Sequence, residues 1–349
     1  MYGQEKPTEQ KISRKKQFFP INEDLRSYLD YYGRGIELPV QYDDLMRFNS
    51  AIPVYDKEGN DTLWETALYT AHETEHIHEG LKQIYSILKT EGQSRVHRHL
   101  HVEKVDYCTF GNSNPFRIKI VNNFNDNYDY FYIKRADASR VYGLELEHIL
   151  SPSRINYFVH HSTLVEEHIA GIPGDQFILH YLERSEFNKV RIAKELVKFN
   201  ERCFVRLLGD MRSYNYVFDI TPDFEEVQFR IRAIDFDQQS YEGRKNLYLP
   251  QFFKENFPLV RLVQEFLSME NIEQYQQEER SLIIRRIKAA SKQLNALIDN
   301  MSRDTISLPE KVAQLGEELA SHHNEPRFLS CKSMGALVKL NLEQIYAKS

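Results

Sequence analysis

Apolar and polar residues alternate in several short runs near the middle of the chain, with the period of two that is typical of β-strands. Two of these runs, at residues 216–220 and 227–234, predict a hairpin whose turn is formed by residues 221–223. Because the two strands of a hairpin lie side by side, this one is expected to bring Asn215 and Asp235 to the same end of the ribbon.

Elsewhere, apolar residues recur every three or four positions, which predicts helices. These helices are expected at residues 24–31, 42–48, 62–90, 139–150, 188–208, 252–269, 276–301, 309–322 and 334–347. The third is long and opens with a capping sequence at residues 60–62. The pattern therefore predicts three parts, which are a helical N-terminal extension at 1–95, a strand-rich part at 96–170 and a helical part at 171–349.

Composition limits the kinds of protein that this chain can be. With 349 residues, 41% of them hydrophobic, it is large enough for two lobes and an extra module. The net charge of −6 argues against a nucleic-acid partner, because nucleic-acid-binding proteins usually carry a basic excess. No apolar run is long enough for a signal peptide or a membrane span, which predicts a cytoplasmic protein with no membrane association.

Three oxygen-bearing side chains lie around the predicted hairpin. Asp210 precedes it, Asn215 stands at its start and Asp235 follows its second strand. An Asp can accept the proton of a substrate hydroxyl, and an Asn with a second Asp supplies the hard oxygen ligands that Mg²⁺ prefers. The spacing therefore predicts a base and a magnesium site of the kind used in phosphoryl transfer.

A lysine at the end of a strand is a candidate phosphate ligand. Residues 130–134 predict that strand, and Lys134 ends it. The helix predicted at 139–150 carries Glu145 and Glu147, and either could hold the lysine in place. These two lie about 200° apart around a helix, so only one can face Lys134. We prefer Glu145, because its stripe of the helix is the one expected to face the lobe interior.

A further strand runs into a segment punctuated by Gly and Pro at residues 163–174. Such punctuation is typical of a connection between two structural units. We expect a hinge here, between the strand-rich part and the helical part.

In their chain order, these residues resemble the protein-kinase-like superfamily, and most closely its aminoglycoside and choline phosphotransferases and related atypical kinases. The resemblance covers roughly residues 100–260. It implies a two-lobed α+β fold, with a small antiparallel β lobe at 96–170, a large helical lobe at 171–349 and the helical extension in front. It also implies ATP and Mg²⁺ as cofactors, and a hydroxyl group on a small molecule or a protein as the acceptor.

The resemblance assigns a role to each candidate residue. Lys134 becomes the ligand of the α- and β-phosphates and Glu145 its partner. Asp210 becomes the catalytic base, and Arg212 is placed near the γ-phosphate. The implied metal ligands are Asn215 and Asp235. The residues whose backbone is expected to contact adenine are Glu167, His168 and Ile169.

Three features depart from the family pattern. Leu208 stands where the family usually has His or Tyr, and Phe236-Asp237 replaces Phe-Gly. The loop at 110–116 offers one Gly where the family often has three. Two alternatives therefore stay open. The first is a pseudokinase, that is, a nucleotide-binding scaffold without turnover. The second is a transferase that moves AMP or acts on a protein. The acceptor and the oligomeric state also stay open.

Two further motifs have ordinary interpretations. His72 and His76 lie four positions apart with a Glu after the first, which matches the zinc-protease pattern. Their neighbours are strongly polar and no further ligand stands at a familiar spacing, so we expect a solvated helix face rather than a zinc site. The basic cluster at residues 14–16 is interpreted as a solvated tail.

Overall fold

An antiparallel sheet organises the first half of the chain. The computed structural model describes residues 16–90, 99–110, 113–222 and 227–347. The strands of the sheet are β1 (Ser50–Tyr55), β2 (Asp61–Leu68), β3 (Leu100–Cys108), β4 (Phe116–Asn122), β5 (Tyr128–Arg135), β6 (Tyr157–His160) and β7 (Thr163–Glu167). Within the described residues, these seven strands join in the order β1-β2-β3-β4-β5-β7-β6, and every neighbouring pair is antiparallel.

Helices flank this sheet and dominate the second half. The first four are α1 (Glu23–Tyr31), α2 (Tyr42–Leu45), α3 (Ala71–Thr90) and α4 (Ala138–Leu150). The elements that follow β7 are β8 (Ile172–Pro173), α5 (Gly174–His180), α6 (Lys189–Arg206), β9 (Tyr216–Pro222), β10 (Val227–Ala233), α7 (Phe257–Phe266), α8 (Met269–Ala289), α9 (Ser291–Arg303), α10 (Pro309–His323) and α11 (Met334–Ala347). The predicted α+β class, with an antiparallel β lobe before a large helical lobe, is confirmed. None of the helices in the described ranges is long and apolar enough to cross a membrane.

Two apolar cores hold these elements together. The first lies between the sheet and α3, where Ile77, Leu81, Ile84 and Leu88 repeat every three or four positions and are buried. The second fills the helical lobe and also takes in α1 and α4. Although α4 lies between two strands of the sheet in sequence, its apolar side therefore packs with the helical lobe. This position lets α4 connect the two lobes.

The prediction of one helix at 62–90 is wrong over its first part. Asp61–Leu68 forms β2, which pairs with β1, and the helix begins only at Ala71. Gly59, with a φ of 84°, closes the hairpin between these strands in a backbone region that favours glycine. The predicted helical extension is therefore corrected: β1 and β2 join the sheet, and its helices are α1, α3 and the short α2, which ends at Leu45.

The helical lobe follows its predicted pattern with changed boundaries. The helix expected at 252–269 is shorter, since α7 is Phe257–Phe266. The helix expected at 276–301 is two helices, α8 and α9, which meet at Ala290. The hairpin is confirmed, since β9 and β10 pair from Pro222 and Val227 to Tyr216 and Ala233. The predicted position of the turn is wrong for Thr221 and Pro222, which are the last two residues of β9 and pair with Gln228 and Val227. Asp223 lies outside the described residues.

The interpretation of residues 14–16 as a solvated tail is wrong for Lys16. Its side chain is only 3% exposed, and its Nζ lies 2.6 Å from Oδ1 of Asp137, the N-cap of α4. A carboxylate at a helix N-terminus attracts a nearby cation, which accounts for the burial. Arg14 and Lys15 lie outside the described residues.

Close packing of α3 against the segment before α2 generates a testable prediction. A Cβ at Gly80 would lie 2.3 Å from Cγ2 of the buried Val40, so Gly80→Ala should lower the free energy of unfolding by about 1–3 kcal/mol. Urea unfolding measures this loss. In the Val40→Ala background the same change should be neutral or stabilising, because the added methyl then fills a space. Equal losses in both backgrounds would contradict the packing.

Candidate functional site

Strand pairing places a lysine and a glutamate on one face of the sheet. In the antiparallel pair β5–β7, Lys134 is opposite Leu164 and Tyr132 is opposite Glu166. Lys134 and Glu166 are thus diagonal neighbours, which is within reach of two long side chains. The Lys134 Nζ donates to Glu166 Oε2 at 2.8 Å, and both side chains are buried.

The first turn of α4 contributes an arginine that joins this pair to the helical lobe. The side chain of Arg140 is 1% exposed. Its Nε donates to Glu166 Oε1, and its Nη2 donates to Glu166 Oε2 at 2.7 Å. Its Nη1 donates to Asp235 Oδ1 and to Asp237 Oδ1, each at 2.8 Å. Arg140 therefore links the sheet with the segment that follows β10.

The segment after α6 forms the other side of the site. Asp210 has a φ of 56°, a left-handed conformation that costs a non-glycine residue roughly 1 kcal/mol and tends to occur at functional sites. Its Oδ1 accepts from Arg212 Nε at 2.9 Å. The Asn215 Nδ2 donates to the backbone oxygen of Asp210 at 2.7 Å. Arg212 Nη1 also donates to Glu255 at 2.9 Å, so a side chain before α7 helps to fix this loop.

The hairpin brings Asn215 and Asp235 together, as its pattern predicts. The backbone N–H of Ile234 donates to the oxygen of Asn215 at 3.0 Å, and Asp235 is the next residue. Since Asn215 uses its Nδ2 on Asp210, its Oδ1 is the atom that remains suited to a cation. Asp235 commits Oδ1 to Arg140 and to the N–H of Asp237, yet 34% of its side chain stays exposed.

Burial and neighbouring charges divide the carboxylates of the site into two groups. Burial acts against ionisation of Glu166 and Asp237, but Arg140 and Lys134 outweigh it and lower both pKa values. Burial and the nearby Asp237 raise the pKa of Asp235. Burial also raises the pKa of Asp210, although Arg212 opposes the shift. A raised pKa makes Asp210 a stronger proton acceptor than an exposed aspartate.

The structure does not bring Glu145 to Lys134, and that part of the prediction is corrected. Glu145 is fully buried and accepts bonds from groups on other elements, namely Tyr28, Arg34, Tyr157 and Gln293. Glu147 pairs with Arg206 of α6. Arg140 occupies the face of α4 that meets Lys134, and Glu145 lies about 140° further around the helix. Glu166 of β7 is the partner of Lys134 instead.

Three residues of the site escaped the sequence pattern, namely Arg140, Glu166 and Asp237. Each is buried in the structure, and buried charges are almost always paired. Because that burial is set by the tertiary structure, the neighbouring residues in the sequence gave no signal of the pairing. The buried Leu208, by contrast, pairs its backbone with Gln239 and has no polar side chain to offer the site.

The expected hinge follows β7 directly. The Glu167 N–H donates to the oxygen of Asn156 at 3.0 Å, and its carboxylate accepts from the Asn156 N–H at 2.7 Å. The His168 ring lies 5.7 Å from that of Tyr130 and 5.9 Å from that of Tyr132, and burial lowers its pKa. Ile169 is buried. In the loop at residues 110–116, Gly111 and Asn112 lie outside the described residues.

The two histidines of the zinc-like motif lie on α3, a helix that contributes none of the site residues named above. His72 and His76 are exposed on α3. Among the residues that the structure describes, no three or more His, Cys, Asp or Glu side chains converge in a way that could hold a metal. Magnesium needs less from a protein, since one or two oxygen side chains and the phosphates of a nucleotide complete its coordination. The donor set of Asn215 and Asp235 fits that requirement.

Comparison with known proteins finds solved kinase structures of low similarity. No family model and no curated protein matches the chain. A solved structure of titin kinase and its flanking domains is 12% identical, with a TM-score of 0.26, and the match covers 69% of this chain and 54% of that one. The autoinhibited serine kinase domain of the giant muscle protein titin is 12% identical, with a TM-score of 0.27, over 70% and 93% of the two chains. This chain thus spans about half the length of the first, and scores this low say nothing about its chemistry.

The shared carboxylate of Glu166 generates a prediction for stability. Glu166→Gln removes the carboxylate that Lys134 contacts and leaves the buried Arg140 with Asp235 and Asp237, so it should lower the free energy of unfolding by about 3–5 kcal/mol. Urea unfolding measures the loss. Glu278→Gln is the matched control, because the ion pairs of Glu278 with Lys194 and Lys198 are half-exposed and should contribute less than about 1 kcal/mol. Equal losses in the two variants would show that Glu166 does not carry the pairing described.

Proposed function

We propose that the protein is an ATP- and Mg²⁺-dependent phosphotransferase with a protein-kinase-like arrangement, closest to the aminoglycoside and choline phosphotransferase branch. The observation that carries the proposal is the chain of charges from Lys134 through Glu166 and Arg140 to Asp235. These linked ion pairs connect the lysine of β5 with Asp235, which follows the hairpin and is close in the fold to Asn215 and Asp210. Phosphoryl transfer depends mainly on such positioning and on charge stabilisation.

Each part of the site has a defined task under this proposal. Lys134 steadies the α- and β-phosphates of the nucleotide, for which it exchanges part of its contact with Glu166. Asn215 and Asp235 would hold Mg²⁺, which would supply charge neutralisation on the phosphates. Asp210 orients the acceptor hydroxyl and accepts its proton, a task that its raised pKa favours. The hinge residues Glu167, His168 and Ile169 border the adenine.

Arg212 combines two tasks. Its Nε fixes Asp210 Oδ1 at 2.9 Å, so it orients the base in the nucleotide-free protein. Its side chain is also one third exposed, which leaves the guanidinium able to approach a γ-phosphate. The acceptor itself, a small molecule or a protein with a hydroxyl group, is not specified by these residues.

A nucleotide-binding scaffold without turnover is the second candidate. It is favoured by Leu208, which stands where the family usually has His or Tyr, and by the single Gly of the loop at residues 110–116. The two candidates share the binding step and differ only at Asp210. A transferase that moves AMP, or one that acts on a protein, would use the same binding residues.

The binding step is tested by a thermal-shift panel of nucleotides with and without Mg²⁺. ATP at 100 times its dissociation constant should stabilise the protein by about 2.7 kcal/mol, and Mg²⁺ should strengthen the effect. Lys134→Met keeps the apolar stem and leaves Glu166 bonded to Arg140, so it should fold but lose at least about tenfold in affinity. The exposed Lys57 provides the control variant Lys57→Met. No shift and no calorimetric heat with any nucleotide would rule out both candidates.

The two acidic residues separate the enzyme from the scaffold. Asp235→Asn should lose the Mg²⁺-dependent part of nucleotide binding. Asp210→Asn should bind Mg²⁺ and ATP nearly as the wild type does, while turnover, including slow ATP hydrolysis, should fall by at least about 100-fold. Calorimetry and a phosphate-release assay measure the two effects. A wild type without turnover that Asp210→Asn matches in every respect would establish the scaffold.

A further inference from the structure

The residues before α1 are fastened to the N-terminus of α4, close to the candidate site. Lys16 Nζ lies 2.6 Å from Asp137 Oδ1, and the Phe19 N–H donates to Asp137 Oδ2 at 2.9 Å. In return, the Ala138 N–H donates to the Phe19 oxygen at 2.8 Å. Asp137 also caps α4 by accepting from the Arg140 N–H. Both oxygens of the N-cap carboxylate are therefore shared with residues 16–19.

The same segment is also fastened to the helical lobe. The Gln17 N–H donates to the hydroxyl of Tyr241 at 3.4 Å, and the Phe19 ring lies 6.2 Å from the Tyr241 ring. Lys16 Nζ lies 5.5 Å from the centre of that ring. Tyr241 stands four residues after Asp237, and its backbone oxygen accepts from Ser307 at 2.6 Å. Residues 16–19 thus bridge the start of α4 and the segment that carries the acidic residues.

One more contact joins these two parts within the first turn of α4. The Ser139 hydroxyl donates to the backbone oxygen of Gln239 at 2.6 Å. Arg140, the next residue, reaches Asp235 and Asp237. The orientation of this guanidinium depends on the position of the first turn of α4. Residues 16–19 fix that position through their contacts with Asp137 and Ala138.

We infer that residues 16–19 are a clamp that positions Arg140, and through Arg140 the acidic residues that face the nucleotide. When the clamp is docked, Arg140 fixes the Asp235 side chain through its 2.8 Å bond to Oδ1. When the clamp is released, Asp137, the N-cap of α4, loses its contacts with Lys16 and Phe19. Asp235 then loses its fixed orientation. Lys16 is then a positioning residue, and the consequence for ligand binding depends on the function proposed above.

The test removes the ion pair while keeping the helix cap. Asp137→Ser retains a side chain that caps helices well but cannot pair with Lys16. Lys16→Met removes the other partner and keeps the buried stem, and the double variant removes both. Lys16→Arg keeps the positive charge at this position, and Lys57→Met serves as the surface control. Urea unfolding of each variant establishes that the full chain is folded before ligands are added.

Hydrogen exchange and nucleotide binding are the two readouts. Amides of residues 138–142 and 234–240 should exchange at least about tenfold faster in Lys16→Met and Asp137→Ser, with no further gain in the double variant. The ratio of the ATP dissociation constants without and with Mg²⁺ should fall at least about fivefold, because Asp235 is no longer oriented. Lys16→Arg should restore both values. A general loss of stability would leave that ratio unchanged.

The outcomes separate the clamp from the proposed function. Exchange rates equal to those of Lys57→Met would show that there is no clamp. Faster exchange with an unchanged Mg²⁺ ratio, in a wild type that binds ATP, would show that the clamp does not position the site, and the inference would be wrong. A wild type that binds no nucleotide would overturn the proposed function, while the exchange rates alone would still decide whether residues 16–19 hold α4.

Discussion

The buried guanidinium of Arg140 is the constraint on which the site depends. A cation without water must be surrounded by acceptors, because an uncompensated buried charge costs several kcal/mol. Glu166, Asp235 and Asp237 supply those acceptors from a strand of the sheet and from the segment after the hairpin. The first turn of α4, the sheet and the helical lobe therefore have one relative position that satisfies Arg140.

The charges of this cluster do not cancel. Two cations, Lys134 and Arg140, face three carboxylates, so one negative charge remains when all are ionised. The pKa values of Glu166 and Asp237 are lowered and that of Asp235 is raised, which locates the excess charge at Asp235. Asp235 is also the most exposed of the three carboxylates. Asp235 is therefore the carboxylate of this cluster through which a metal ion would be held under the proposed function.

The first turn of α4 and the rest of the helix make different contacts. Its first turn holds Arg140 and meets residues 16–19, whereas Glu145 and Glu147 further along bind side chains of α1, β6, α6 and α9. A buried carboxylate with several donors fixes neighbouring elements in place. The glutamates of α4 stabilise the junction of the lobes, and the lysine of β5 takes its partner from β7, a strand beside its own.

Local patterns in the sequence determined the kinds of elements and their order. The period of two gave the hairpin, whose geometry necessarily brings Asn215 next to Asp235, and the three- and four-residue spacing gave the helices of the second half. The same spacing misassigned residues 61–68, because a strand that is half-exposed on both faces carries little alternation. Which buried charges pair was decided only by the tertiary structure. Arg140 meets Glu166 and Asp235 because α4 packs with the helical lobe while its first turn points at the sheet, and that placement depends on contacts between residues far apart in the chain.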